Sequence, residues 1–368
     1  MAKKKRTLII FSSSEIGGAE RTLSRLANYA EDKEFYLGSL QGKGDLIRQN
    51  KTKKINVISF GYRNQNKLNF ILSCFNSIKY SRKIKADYIY ICGFKACSII
   101  RILSLFCSTP KIIHAIRWNP ISNNKDDRIF RIFERFFKHQ TCAWICNSKS
   151  SKETLLKYCG IPKNKISFIY NGIDAKKLYL NKRSRNNIVL TLSNFAPRKG
   201  IIEYLNVIEK VTRINSNVKF IIAGRDDMNG EVQQEIKRKN LGLYIETPGF
   251  VDNPSDLIKN SRFMVMPSLL PEGCPTSILE GMSFGKPAIG YKIEGLKELI
   301  QNNKTGFLLK KYDQAGMAKS ILRLLNNSDL IEQFGYNAYN ESKKKFTLTK
   351  MLIKHRNVFN YFENFKKK

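Results

Sequence analysis

Apolar residues in this chain come in short, nearly continuous runs, separated by stretches with helical spacing. Leu8 to Phe11, Ile55 to Phe60, Tyr88 to Cys92, Ile112 to Ile116 and Cys142 to Cys146 form a first series. Ile188 to Leu192, Phe220 to Ala223, Phe263 to Met266 and Ala288 to Tyr291 form a second. Runs that are apolar at successive positions fit strands of a parallel sheet covered on both faces. Between the first strands, Leu23, Leu26, Ala27 and Ala30 mark one face of a helix. Two such arrays in 368 residues predict an α/β protein of two Rossmann-like domains, each able to bury its own core. The expected boundaries are 1–173 for the first domain, 174–186 for a polar linker rich in Lys, Arg and Asn, and 187–345 for the second domain. A final helix is expected over 346–368, with Met351, Leu352, Val358, Phe359 and Phe362 apolar.

Charge changes the picture more than overall composition does. Lys and Arg number 65 against 30 Asp and Glu, a net charge of +35. From Lys51 to Lys125 there is one acid, Asp87, among 14 basic residues. Such a field attracts nucleic acid, anionic lipid headgroups or phosphorylated substrates. No helix-turn-helix, RNA-recognition or zinc-finger pattern accompanies it, so the expected partner is a membrane surface or a lipid diphosphate, not nucleic acid. Part of the charge also goes with a chain rich in Asn and Ile as well as Lys. Uncharged stretches reach only about a dozen residues, as in Asn186 to Pro197, short of the ~20 a membrane-spanning helix needs. The basic Met1 to Arg6 leads into a strand pattern over Thr7 to Ser12, so no secretory leader is expected. The eight Cys have no repeating spacing. Cys142 and Cys146 are expected on one face of a strand with no His close by, which points to reduced, buried thiols and no zinc site.

The candidate chemistry centres on Glu272-Gly273-Cys274-Pro275-Thr276-Ser277-Ile278-Leu279-Glu280. Two carboxylates stand eight positions apart, one after an apolar strand and one inside the next helix. The Gly and Pro between them end the strand and start the helix, whose free amides and positive dipole end suit a phosphate or a polar sugar. Gly17-Gly18 follows the first strand and opens the first helix, as a backbone loop for a ligand or as a plain tight turn. His114, near the end of a strand, is either a ligand contact or a core histidine. Leu190 to Gly200 carries a Pro turn and two cations, Arg198 and Lys199, suited to a departing diphosphate. Ile129, Ile132, Phe133, Phe136 and Phe137, interleaved with Arg128, Arg131, Arg135 and Lys138, describe either an interfacial helix or one packed on the sheet.

Glu272 to Glu280, with Pro267-Ser268 before and Gly285-Lys286-Pro287 after, resembles the E-x7-E signature of family 4 glycosyltransferases. Asn147-Ser148, Tyr170-Asn171-Gly172, the strand-loop ending Lys199-Gly200, Ala223-Gly224, Gly249-Phe250-Val251, Gly295-Leu296 and Thr305-Gly306 resemble further family positions in order. The resemblance implies a GT-B fold, two Rossmann-like domains facing across a cleft, with the final helix packing back on the first. It implies catalytic roles for Glu272, His114 and Lys199. It implies donor binding by Gly17, Gly18, Arg198, Lys199, Val251, Glu272, Cys274, Pro275, Thr276, Ser277 and Glu280. Within that set Glu280 takes the ribose hydroxyls, Glu272 a sugar hydroxyl and Lys199 the diphosphate. The chain departs from the family at Asn194, where an Arg is common.

The implied activity is transfer, with retention, of a hexose or N-acetylhexosamine from a nucleotide-diphosphate sugar, a UDP-sugar, to a lipid-linked saccharide in bacterial surface polysaccharide synthesis. No metal or other cofactor is expected. The expected place is the cytoplasmic face of the inner membrane, against an anionic surface. Alternatives are a nucleotide-sugar epimerase, a phosphorylase, a non-catalytic assembly protein and a basic nucleic-acid binder.

Overall fold

The computed structural model describes residues 4–42, 44–46, 55–62, 66–122, 124–174 and 187–364. The chain divides into two units: Met1–Gly172 with Leu348–Lys368, and Ile173–Thr347. Most of the expected linker, 175–186, lies outside the described residues.

Among its described residues the first unit holds seven strands: β1 (Arg6–Phe11), β2 (Glu34–Ser39), β3 (Asn56–Ser59), β4 (Tyr88–Cys92), β5 (Lys111–Ile116), β6 (Thr141–Cys146) and β7 (Ile166–Phe168). Their order is β3-β2-β1-β4-β5-β6-β7, every pairing parallel. β2 and β7 were not expected. Glu34, Gly38 and Ser39 interrupt the apolar run of β2, and β7 has only three residues.

Alternation along the strands separates two cores. Ile9, Phe11, Tyr88, Tyr90, Ile113, Ala115, Ala143 and Ile145 meet the helix Gly18–Tyr29 and the final helix Leu348–Asn364. From that helix come Met351, Phe359 and Phe362, and Phe359 packs edge-on to Phe35, Tyr88 and Tyr90. The opposite face carries Leu8, Ile10, Ile89, Ile91 and Ile112, then Ile116, Trp144 and Cys146. It is covered by the helices Lys67–Lys83, Phe94–Leu103, Lys125–Phe136 and Lys149–Cys159.

One expectation fails here. The β5–β6 register runs Ile112↔Thr141 and then Ile113↔Ala143, so Cys142 is an extra residue. The slip turns Cys142 toward the first core, while Cys146 lies in the opposite one.

The second unit has β8 (Ile188–Leu192), β9 (Lys219–Ala223), β10 (Ile245–Glu246), β11 (Phe263–Met266), β12 (Ala288–Tyr291) and β13 (Gly306–Leu309). They form a parallel sheet in the order β10-β9-β8-β11-β12-β13. The chain enters and leaves this unit side by side, through a bridge between Ile173 and Thr347 and a bond from the Ile173 amide to the Phe346 carbonyl at 2.9 Å. In each sheet the sequence order reverses once, between β1 and β4 and between β8 and β11. Loops at the carboxyl ends of strands flanking such a point are where open α/β sheets bind ligands.

Candidate active site

The second sheet's switch point brings two loops together. One follows β8 and carries Arg198 and Lys199; the other follows β11 and carries Ser268 and Glu272. Two glycines make the approach possible. Gly200 sits at φ +66°, and a Cβ there would lie 2.4 Å from the Pro267 carbonyl oxygen. Gly295, at φ +84°, would place a Cβ 2.5 Å from the carbonyl oxygens of Glu272 and Gly273. Backbone bonds then fix the loops, from the Leu269 amide to the Arg198 carbonyl at 3.0 Å and from the Glu272 amide to the Glu294 carbonyl at 3.0 Å.

The result is a loaded carboxylate. Glu272 Oε1 accepts from Lys199 Nζ at 2.5 Å, Ser268 Oγ at 2.8 Å and Arg198 Nη1 at 3.4 Å. Its Oε2 takes none of these bonds. Burial pushes the Glu272 carboxyl up, but Lys199, Arg198 and Ser268 outweigh it and hold the group below its ordinary value. Glu272 is therefore ionised at neutral pH. The Lys199 side chain is nearly buried, whereas that of Arg198 is half exposed.

Cys274 is buried, and Pro275 caps the helix Thr276–Ser283. The first amides of that helix have no carbonyl partner within it, so Thr276 and Ser277 present donors beside the Glu272 loop. Glu280, half-buried, lies one turn further along the same helix. Asn194, where an Arg is common in the family, accepts from the Arg225 amide at 3.2 Å, while Arg198 reaches Glu272 beside Lys199. Val251 lies half-buried in the loop after β10. Ser268, Gly200 and Gly295 were not assigned roles from the sequence. The available signal was a hydroxyl directly after a strand and glycines flanking the two loops.

In the first unit, Gly17 caps the helix Gly18–Tyr29 in an extended conformation, and its amide donates to Glu20 Oε2 at 3.0 Å. His114 is not at the open end of the sheet. It lies two residues inside β5, fully buried, with Nδ1 3.0 Å from Glu134 Oε1 and 3.2 Å from Arg101 Nη2. Arg101 forks onto both Glu134 oxygens at 2.7 and 3.0 Å, and the Trp144 indole N–H also donates to Glu134. Burial pushes the Glu134 carboxyl up, but His114 and Arg101 draw it down to about 2. The residue that β5 delivers to its carboxyl end is Arg117, which donates to Asn171 Oδ1 at 3.1 Å and the Tyr90 hydroxyl at 3.4 Å.

Two parallel, doubly wound α/β units in one chain are the architecture of the GT-B class. The solved structure of Anabaena HepE in complex with UDP and glucose shares it, with a TM-score of 0.82 at 19% identity over 96% of this chain and 99% of that one. The family model described as Glycosyltransferase Family 4 matches residues 16–177, and that described as Glycosyl transferases group 1 matches residues 173–341. The chain belongs to the family 4 glycosyltransferases. It is 30% identical over 174 residues to the poly(ribitol-phosphate) alpha-N-acetylglucosaminyltransferase of Staphylococcus aureus, covering 47% of this chain but only 35% of that protein. It is 24% identical over 319 residues to the UDP-Gal:alpha-D-GlcNAc-diphosphoundecaprenol alpha-1,3-galactosyltransferase of Escherichia coli, covering 81% of each.

Proposed function

We propose that this chain moves a hexose or N-acetylhexosamine from a UDP-sugar to a saccharide carried on a lipid diphosphate, with retention at the anomeric carbon, in bacterial surface polysaccharide synthesis. The observation that carries this reading is Glu272. Its Oε1 is saturated by Lys199, Ser268 and Arg198, and its Oε2 is left for a ligand hydroxyl, beside a helix N-terminus.

In this reading Glu272 Oε2 accepts from a hydroxyl of the donor sugar and fixes the ring. Lys199, Arg198 and the amides of Thr276 and Ser277 face the diphosphate. As the bond from the anomeric carbon to the diphosphate oxygen breaks, negative charge grows on the leaving group. Fixed cations and amides stabilise it without reorganising. Glu280 takes the ribose hydroxyls, and the backbone at Val251 takes the base. Support for a lipid-linked acceptor comes from the Escherichia coli relative, a galactosyltransferase that acts on GlcNAc-diphosphoundecaprenol.

The test is nucleotide release from a panel of UDP- and GDP-sugars, with and without an extract of bacterial lipid-linked saccharides. UDP release that requires one donor and the extract, and is lost in Glu272→Gln, is expected. Interconversion of the donor sugar without any acceptor would favour an epimerase. No turnover of any donor, with tight salt-sensitive binding to generic DNA or RNA, would overturn the reading.

A further inference from the structure

The helix Lys67–Lys83 is built inside out. Its buried positions are Ser73, Cys74, Ser77, Ile78 and Ser81, and the serine hydroxyls turn back onto helix carbonyls: Ser73 to Asn69, Ser77 to Cys74 and Ser81 to Ile78. Its outward positions are Leu68, Ile71, Leu72 and Phe75, spaced i, i+3, i+4 and i+7, all exposed. Lys79 and Arg82, also exposed, continue the same stripe toward the helix C-terminus. A helix in a water-facing layer ordinarily has the opposite polarity.

The neighbouring elements extend this face. The helix Phe94–Leu103 packs beside it, and Arg82 Nε donates to the Ser108 carbonyl at 2.7 Å in the turn that follows. That turn holds Leu105 and Phe106, the latter 84% exposed. Next in the layer, the helix Lys125–Phe136 buries Phe130 and Glu134 and leaves Ile132 and Phe136 exposed. The apolar face expected on this helix is thus divided: Phe133 and Phe137 stack on each other half-buried, and only Ile132 and Phe136 point out. Exposed Lys67, Lys79, Lys83, Lys95, Arg128 and Arg135 lie among these groups. Among the described residues of the second unit the exposed large apolar side chains are the scattered Ile214, Leu243, Tyr312 and Tyr336.

Charge follows the same division. The first unit has 38 Lys and Arg against 12 Asp and Glu, a net +26; the second has 27 against 18, a net +9. No helix among the described residues is long and apolar enough to cross a membrane.

We propose that this outer face of the first unit's four-helix layer, centred on Leu68, Leu72, Phe75 and Phe106 and ringed by lysines and arginines, seats on an anionic lipid surface. The apolar side chains enter the headgroup and acyl boundary, and the cations meet lipid phosphates. Apolar tips interleaved with cations suit this occupant better than a second copy of the chain, which would bring a like-charged face against it. The inference stands apart from the acceptor proposed above, because lipid binding is read with no sugar present.

The experiment is co-sedimentation of the full chain with phosphatidylcholine vesicles, with and without about a third phosphatidylglycerol. Wild-type protein is expected to pellet with the anionic vesicles, to stay in solution with neutral ones, and to be released by salt as screening grows. Leu72→Ser/Phe75→Ser/Phe106→Ser changes exposed side chains that belong to none of the core clusters. It should keep the wild-type melting temperature and weaken binding at least about tenfold. Lys79→Gln/Lys83→Gln, at exposed positions, should also weaken binding by roughly tenfold or more. Equal pelleting with neutral vesicles, no pelleting with anionic ones, or a triple variant that binds like wild type would overturn the proposal. So would light scattering that shows a dimer which the triple variant dissociates.

Discussion

Each unit of this protein holds a carboxylate engaged by basic side chains, and the two clusters are built to opposite ends. Glu134 in the first unit has both oxygens engaged by Arg101, one also near His114 and the other taking the Trp144 N–H, and all four side chains are fully buried. Glu272 in the second has one oxygen engaged by Lys199, Ser268 and Arg198, and Arg198 is half in solvent. The first is closed on itself, and what it can contribute is a fixed packing of the helices Phe94–Leu103 and Lys125–Phe136 against β5 and β6. The second has unused acceptor capacity beside a helix N-terminus. A buried ion pair is therefore no pointer to function by itself; spare hydrogen-bonding capacity at a strand's carboxyl end is.

The largest expected effect comes from breaking the closed cluster. Arg101→Met leaves Glu134 buried with less compensation, which costs ~3–5 kcal/mol of stability. Chemical denaturation at neutral pH measures it. The cost has a pH signature. Glu134 is held at about 2 in the folded protein, below the usual carboxylate value, so its contribution is complete above the unfolded value and is lost as pH falls toward 2. The gap between wild type and Arg101→Met should therefore be widest near neutrality and close as the pH drops below about 4.5. A gap that does not change with pH would mean that lost packing, not charge, causes the effect.

The open cluster should respond in turnover instead. Lys199→Met removes the shortest contact to Glu272 and the buried cation proposed to face the leaving group. A loss of ~10²–10³ in kcat is expected, the size seen when one fixed transition-state donor is removed. Its melting temperature should fall less than that of Arg101→Met, because Glu272 keeps Arg198 and Ser268. Should turnover survive while stability collapses, the two clusters would not differ in the way described.

These two clusters also show how far the sequence could be read. Both sheets were legible because their central strands are unbroken apolar runs, and the Glu272 loop was legible because the motif lies in a single stretch. Lys199 was found from a loop that ends in Lys-Gly. The end of β5 at Ile116 and the place of His114 near it were legible too, but an apolar run does not show which face of the sheet a residue meets. The last residue of β5 is Ile116, so Arg117 reaches the open end and His114 turns into the core. Arg101 and Glu134 gave no signal, since each lies among other charges on a helix and only the fold brings them together. The helix Lys67–Lys83 gave none either, since serines occupy its buried side.

Gly200→Ala is expected to act on both readouts at an intermediate level. A left-handed backbone disfavours any Cβ, by ~1–3 kcal/mol with strain from the contact included. The Pro267 carbonyl 2.4 Å away must also move, and it is backbone leading into Ser268. The displacement would part Lys199 from Glu272, so kcat should fall along with the melting temperature. Preserved turnover would mean that the two loops meet without help from this glycine.

The smallest effect is expected from Ser268→Ala. The hydroxyl donates to Glu272 Oε1 at 2.8 Å and is itself buried, yet two cations share that oxygen. A hydrogen bond to a charged group contributes about 1.5–3 kcal/mol, and the charged partners that Glu272 keeps put this one at the low end. Ser268 bonds Oε1 and not the other oxygen, so its loss lets the carboxylate swing without discharging it. The expected outcome is a rise in KM for the donor of a few fold, a smaller fall in kcat, and rescue of both by Ser268→Thr. A loss in Ser268→Ala as deep as that of Lys199→Met would mean that Glu272 depends on orientation more than on charge. The open cluster would then work by rigidity, as the closed one does.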